Sequence, residues 1–551
     1  MVNMIYLSTL LMSLFLTISL IPIFKSMAGV LHVVDVPNDR KIHSQPVPKI
    51  GGLAMAFGIL FPPMVWHLSD AVVMSIIVGS SVIVVFGFLD DARDLGYGAK
   101  FFGQILAACI VVGKGGVNIA VVGDLLPSVA ALPSYVAIPL TLVVIVGVTN
   151  AINLSDGLDG LAGGIVILSF LCMSWLAFTM GMTAVSVLCL AVIGAVFGFL
   201  RFNTHPASIF MGDTGSQLLG FLAITLSIHV SQGSGTISPL FPLILLGFPI
   251  LDTLSVMMGR ILHGKSPFKA DKTHFHHRLM ELGFNHSEAV FAVYVLQALL
   301  VSSAFVLRFH SEWILLGMYL TFSTGILGFF HYARKTGWTA KHGDYYEVKL
   351  KGTFRRIRDH QLPIRISFPC LTYGFAALLI VSCMAFRSIP DYSLPVLAAL
   401  LCSMGVISIV KNDWSHMVFR LCFYATVPFV LYAIESDAAI WMGDVSRVVY
   451  NVAFGLIAFF MVMTLKFTRR KKGFRTTPLD FIILFISLGL PVLVGLEIDG
   501  LNLMTLSVHI IVMLFAYEVV MGELRGKSRF INRATVIMFI LLFARSAGMI
   551  F

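Results

Sequence analysis

The chain has 551 residues, of which 58% are hydrophobic and only 12% charged, with a net charge of +10 and a mean hydropathy of +0.92. That balance excludes an ordinary soluble globular protein and places the chain in lipid. Apolar runs able to cross a hydrocarbon core of roughly 30 Å, which takes about 20 helical residues, recur from Ile5 to Phe551 and number about eighteen. The expected fold class is all-α, a polytopic transmembrane helical bundle.

The first run, Ile5 to Phe24, has no basic residue before it and no small-residue cleavage site after it, so it reads as a retained helix rather than a secretory signal. With the N-terminus outside and the spans alternating, the inside loops hold all the 38 Lys and Arg residues except Lys114, Arg308, Arg387, Arg447 and Arg545. The positive charge therefore reports membrane topology and anionic lipid, and excludes nucleic acid as its reason. The seven cysteines lie scattered in apolar runs without C-x-x-C spacing and are expected to be core residues.

Several inside loops break the positive trend. Asp90 to Lys100, DDARDLGYGAK, opens with three carboxylates, and a helix continued through Asp94 would put Asp90, Asp91 and Asp94 on one face. Acid massed where insertion favours base points to a bound divalent cation, although a helix cap with neighbouring acids is the plainer alternative for this loop alone. Asn150 to Gly164 adds Asp156 and Asp159 among Gly157, Gly160, Gly163 and Gly164, allowing tight turns and close approach of a ligand to backbone N–H groups. Arg201 to Ser216 carries Asp213 between glycines, with Thr214 and Ser216 offering hydroxyls to phosphate oxygens. The loop Arg260 to Ser287 contains KADKTHFHHRL, where His274, His276 and His277 beside Lys272 and Arg278 suit a polyanion better than a transition metal.

From Ser287 onward there is charge but no reactive constellation. The inside loop His331 to Arg365 is basic, and its stretch Asp344 to His360 reads either as an amphipathic headgroup helix or as a soluble loop. Thr468 to Arg475, TRRKKGFR, reads as a topogenic anchor. The expected division is a membrane domain over residues 1–330, a basic loop over 331–365 and a multi-span extension over 366–551.

Five blocks in this order, DVPNDRKIHSQPVPKIGG, LDDARD followed by Lys100 and Gln104, NAINLSDGLDGLAGG, FNTHPASIFMGDTGS and THFHH, cover about residues 1 to 288. In them the chain resembles the polyprenyl-phosphate N-acetylhexosamine-1-phosphate transferases, and within that family it looks like the branch that transfers GlcNAc-1-phosphate or a related HexNAc-1-phosphate, as the undecaprenyl-phosphate enzymes do. The branch that uses UDP-muramoyl pentapeptide typically has three consecutive histidines and a T-P-T-M-G-G block, where this chain has His274-Phe275-His276-His277 and Pro46-Val47-Pro48-Lys49-Ile50-Gly51-Gly52. The resemblance implies a core of about ten or eleven spans in a bacterial inner membrane with a cytoplasmic active site. It also implies Mg²⁺ (with Mn²⁺ as an alternative) and, as partners, a UDP-sugar, polyprenyl phosphate, membrane lipid and optionally a second copy of the chain.

By the same resemblance Asp213 is the first metal ligand, with Asp90 and Asp91 placing the metal or the lipid phosphate. Asp156, Gly157 and Asp159 would line a uridine pocket, with Phe210 stacked on uracil. Lys100 and His276 or His277 would meet the diphosphate, His274 would join the substrate side, and Asn153 and Asn203 would be polar supports. The reaction implied is phosphoryl transfer, which needs alignment and charge neutralisation more than a strong base. Asp90 or Asp91 is open to either proton acceptance or a phospho-aspartyl intermediate. The competing class is a polytopic transporter, which would carry its acids near mid-span.

Overall fold

The computed structural model describes residues 2–35, 46–67, 70–126, 131–266, 273–340, 362–385, 398, 401–402, 405, 419, 422–423, 426–435, 444–467, 497–498, 501–524 and 529–546. Among these, eleven helices are long and apolar enough to cross a membrane. The difference from about eighteen has two sources. Gly51–His67, Thr426–Glu435 and Val508–Met521 are apolar but too short to count, and several expected runs, with Asp344 to His360 and Thr468 to Arg475, lie outside the described residues. The protein is a multi-pass helical membrane protein.

The chain forms two compact units, whose described parts are residues 2–340 and 362–546. The first contains α1 (Val2–Met27), α2 (Gly51–His67), α3 (Ala71–Arg93), α4 (Tyr97–Gly115), α5 (Ser134–Leu154), α6 (Leu161–Thr179), α7 (Thr183–Asn203) and α8 (Gly212–Ser234). It continues through α9 (Phe241–Leu245), α10 (Gly247–Leu262), α11 (Phe275–Glu281), α12 (His286–Leu307) and α13 (Glu312–Thr336). Since α13 runs unbroken to Thr336, the expected limit at residue 330 falls inside a helix.

The centre of this unit is α8, which packs on α3 and α5, while α1, α2, α6 and α7 pack on one another beside it. Its apolar window is 94% buried, followed by 83% in α6 and 78% in α7, against 28% in α4 and 22% in α13, so α8 is the axle and helices such as α4 and α13 form the rim. The rim helices turn Phe57, Val85, Phe102, Val143 and Leu299 outward, as lipid-facing side chains require. Two glycines let neighbours reach the start of α8. A Cβ on Gly52 would run into the backbone of Met211 and Gly215, and one on Gly87 would stand 2.7 Å from Thr214 Cα.

A short antiparallel ladder, β1 (Val34–Asp35) and β2 (Val47–Pro48), ties the first two helices together. The same segment then binds the α8 entry: Phe210 N–H donates to Pro48 C=O (2.8 Å), Gly51 N–H to Phe210 C=O (2.9 Å) and Gly52 N–H to Met211 C=O (2.9 Å). Two sequence motifs more than 150 residues apart are thus one backbone-bonded structure.

The second unit has its own core. Leu362–Ala385, Asp444–Phe467, Leu503–Glu523 and Arg529–Ser546 pack together around Phe375, Phe423 and Tyr517, with the last two rings stacked at 4.3 Å. Buried Glu435 is paired to Arg447 at 2.7 Å. Of the seven cysteines, Cys172, Cys189, Cys383 and Cys422 are core residues as expected; Cys109, Cys370 and Cys402 are exposed, because they lie on the outward sides of apolar segments.

Candidate active site

The ends of α3, α5 and α7 and the beginnings of α4, α6 and α8 meet at one end of the bundle around a cavity of about 950 Å³. It is built from chain segments expected to carry the chemistry, and its lining includes Asp90, Asp91, Lys100, Asn153, Asp156, Gly157, Asp159, Asn203, Phe210, Asp213 and His277.

At its base Lys100 Nζ lies 2.5 Å from Asp90 Oδ2 and 2.6 Å from Asp213 Oδ2. Two carboxylates from different helices therefore converge on one cationic centre. Asp90 is buried, and its Oδ1 has no hydrogen-bond partner among the described residues. Asn153 Nδ2 donates to Asp213 Oδ1 at 3.3 Å. Behind them, Gln104 bonds Gln217 (3.0 Å) and Asn150 (2.7 Å), a polar network between α4, α8 and α5.

Asp91 sits differently from its neighbour. Its carboxylate accepts from Asp213 N–H (2.8 Å), Thr214 N–H (2.9 Å) and the Thr214 hydroxyl (2.6 Å), satisfying the open amides at the start of α8. An acid on α3 thereby does for α8 what an N-cap side chain does locally, and the helix dipole favours its charge. The expectation that the α3 helix runs through Asp94 does not hold. It stops at Arg93, and Asp94 takes a left-handed conformation (φ 47°) with its N–H on Asp90 C=O, so it lines the cavity from beyond the helix end.

The DGLDG loop between α5 and α6 is pinned at both ends. Gly160 N–H donates to Asn203 Oδ1 (2.9 Å) and Tyr294 OH to Gly160 C=O (2.6 Å), while Asn203 Nδ2 donates to Ile209 C=O (2.9 Å). Asn203 is a support that joins the loop to the α8 entry. Burial, then Asp213, Asp159 and Asp91, push the Asp156 carboxyl up to about 7. At the cavity edge Lys49 pairs with Asp35 at 2.9 Å. Burial works against its charge, but Asp35, Asp91 and Asp94 outweigh it and hold its ammonium above the usual lysine range.

Of the three histidines only His277 lines the cavity. His276 is buried behind Gly157, where a Cβ would strike its imidazole, and burial followed by His277 pushes its pKa down to about 3. It is neutral and supplies no cation. His274 is turned away to Asp252, with Nδ1 3.0 Å from Oδ2, while Phe275 N–H donates to Asp252 Oδ1 at 2.8 Å. Asp252 on α10 therefore anchors the His motif. It was missed in the sequence reading, although one carboxylate in the apolar run GFPILDTLSV was a legible signal. His205 and His286, both on the cavity wall, were also missed.

An acidic and basic centre at the shared ends of long apolar helices defines the class: a polytopic membrane protein with a polar chamber at one end of its helical bundle. Residues 73–231 match the description Glycosyl transferase family 4. The chain is 38% identical over 313 residues to a probable undecaprenyl-phosphate N-acetylglucosaminyl 1-phosphate transferase of Bacillus subtilis (strain 168), covering 55% of this chain and 85% of that one. It is 30% identical over 371 residues to the undecaprenyl-phosphate alpha-N-acetylglucosaminyl 1-phosphate transferase of Escherichia coli (strain K12), covering 65% and 98%. It is also 33% identical over 299 residues to a decaprenyl-phosphate N-acetylglucosaminephosphotransferase of Mycolicibacterium smegmatis, covering 48% and 72%. The chain belongs to glycosyl transferase family 4.

Proposed function

We propose that the chain transfers N-acetylglucosamine 1-phosphate from UDP-GlcNAc to polyprenyl phosphate at the cytoplasmic face of a bacterial inner membrane, with the N-terminus outside. The observation that carries this reading is the convergence of Asp90 and Asp213 on Lys100 inside an open cavity at helix ends. A transporter would hold such acids at mid-span. The names of the relatives support the same substrates.

A phosphate oxygen of the lipid attacks the sugar-linked β-phosphorus. The new P–O bond forms as the bond to the α-phosphate oxygen breaks, giving polyprenyl-diphospho-GlcNAc and UMP. Lipid phosphate is already largely anionic near neutrality, its second pKa being about 6, so no strong base is needed. Asp90 and Asp213 offer the hard oxygens that Mg²⁺ (or Mn²⁺) takes, and the buried unpartnered Asp90 Oδ1 fits such a ligand set. When bound, the ion would neutralise diphosphate charge. Lys100 then presents its ammonium to the diphosphate, and Asn153 steadies Asp213. His277 faces the same space, and Asp91 fixes the direction in which Asp213 enters it. Phe210 and the DGLDG loop line the part of the cavity that receives uridine.

The test is a membrane preparation containing the protein, given UDP-GlcNAc, undecaprenyl phosphate and Mg²⁺, with UMP and lipid-linked sugar measured together. Both products are expected, and both should vanish with chelator and in Asp213→Ala. Full activity in EDTA refutes the metal assignment. Turnover of UDP-MurNAc-pentapeptide in place of UDP-GlcNAc refutes the sugar.

A further inference from the structure

His277 reaches the cavity from α11 (Phe275–Glu281), a helix of only seven residues. Isolated helices shorter than about 12–15 residues are marginal in water, so the place of this histidine depends on what grips its helix from outside. One grip is at its start, where Asp252 accepts from Phe275 N–H and His276 packs behind Gly157. A second grip comes from α13 and the residues that follow it, which the transfer chemistry leaves unused.

The buried ring of Phe275 stacks on Phe330 of α13 with centroids 5.1 Å apart and planes at 15°. The Arg278 guanidinium covers both rings, 5.4 Å from the centroid of Phe275 and 5.8 Å from that of Phe330. Beyond α13, Gly337 takes a left-handed conformation (φ 64°) and turns the chain back. Trp338 then packs on Phe329 (5.7 Å) and on Phe284 just past α11 (6.4 Å). Ala340 N–H donates to the C=O of Leu282 at 2.7 Å. Leu282 is the residue that caps α11, so this bond satisfies a carbonyl of the kind a helix end leaves open.

We propose that the end of α13 is a clamp on α11 that positions His277 for the transfer, with Trp338 and Ala340 at its tip. Neither of these lines the cavity, so they act through the helix and touch no substrate. The inference rests on the proposed function, in which His277 faces the space of the diphosphate. Without the clamp α11 is left hinged at Asp252, and His277 holds its working position for only part of the time.

The experiment uses the full-length protein in detergent and measures kcat/KM for UDP-GlcNAc by UMP release. Trp338→Ala, Trp338→Phe and Ala340→Pro are each made alone and with His277→Gln, and hydrogen exchange is followed over residues 278–282. Trp338 is 42% exposed, and Ala340→Pro deletes one amide hydrogen, so both leave the core untouched. Trp338→Ala and Ala340→Pro should lower kcat/KM about ten- to hundredfold, since a misplacement of about 1 Å costs about 100-fold. Trp338→Phe keeps a ring on Phe284 and should recover most of the loss. In the His277→Gln background each change should cost less than about twofold, because a residue that acts through His277 has nothing left to position. Exchange over 278–282 should quicken in both variants while that of α8 stays the same. Losses that add in the double variants, slower turnover without quicker exchange, or quicker exchange without slower turnover overturn the clamp. Exchange does not depend on turnover, so a wild type that releases no UMP refutes the transferase reading while unchanged exchange refutes the clamp.

Discussion

Asp91→Ala separates a positioning acid from a metal ligand. Its carboxylate accepts three hydrogen bonds from Asp213 and Thr214, two of them from amides at a helix start. Loss of an N-cap acceptor costs about 1–2 kcal/mol, and hydrogen bonds to a charged group contribute about 1.5–3 kcal/mol each without being additive. The expected destabilisation is therefore about 2–4 kcal/mol, a fall in melting temperature of roughly 3–6 °C for a unit of this size. Asp213 begins the helix that Asp91 holds, and a misplacement of about 1 Å at a reacting centre costs about 100-fold in rate. Asp91→Asn keeps one acceptor oxygen and should fall between wild type and Ala in both respects. The assay pairs melting in detergent with UMP release over a Mg²⁺ titration. An Asp91→Ala protein that melts like wild type yet needs far more Mg²⁺ would falsify the capping role and make Asp91 a direct ligand.

Three further outcomes are expected. Lys100→Met leaves Asp90 and Asp213 facing one another without their ammonium; with Lys100 27% and Asp213 26% exposed, the metal-free protein should lose about 1–3 kcal/mol, less than a fully buried pair, and recover much of it when Mg²⁺ is added, as melting with and without the ion will show. Gly157→Ala drives a methyl into the His276 ring, an overpacking worth about 1–3 kcal/mol, and the double variant Gly157→Ala/His276→Ala should regain the lost stability if that contact is the cause. Asp156 titrates near 7 when folded against 3.8 as the ordinary value, so the folded chain binds the extra proton between those limits. Its stability contribution is present below about pH 4 and lost as pH rises through 7. In chelated protein, Asp156→Asn should remove that loss, on the order of 1–2 kcal/mol after solvent screening, and a melting difference from wild type that is equal at pH 5 and pH 8 would exclude it.

How much was legible follows from where charge is rare. In a chain that is only 12% charged, acids massed in Gly-rich inside loops stand out, and Asp90, Asp156, Asp159 and Asp213 could be picked from sequence as one chamber. What each acid does could not, because roles depend on partners far along the chain. Asp91 looks like Asp90's twin until its amide partners, more than 120 residues away, are known. The His motif shows the same limit: three similar residues have one member facing the cavity, one buried and neutral behind Gly157, and one tied to Asp252. His205 and His286 are unremarkable singly and acquire meaning only when two loops and a helix start bring them together with Asp159. Among the described residues eleven helices have the length and hydropathy of a span, and shorter apolar helices such as Gly51–His67 stand beside them.

The helix at the centre of the first unit is riveted at both faces. At one end Asp91 grips its first amides; at the other, Gln232 Oε1 accepts from Ala120 N–H (3.1 Å) and Val121 N–H (2.9 Å) while its Nε2 donates to Val121 C=O (2.9 Å). The 22 residues of its membrane span measure about 33 Å along the axis, close to the thickness of the hydrocarbon layer. Held by neighbours at both ends, this column can meet a thinner or thicker bilayer by leaning only together with the helices bonded to it, so the chamber at its start and the loop at its far end move as one body.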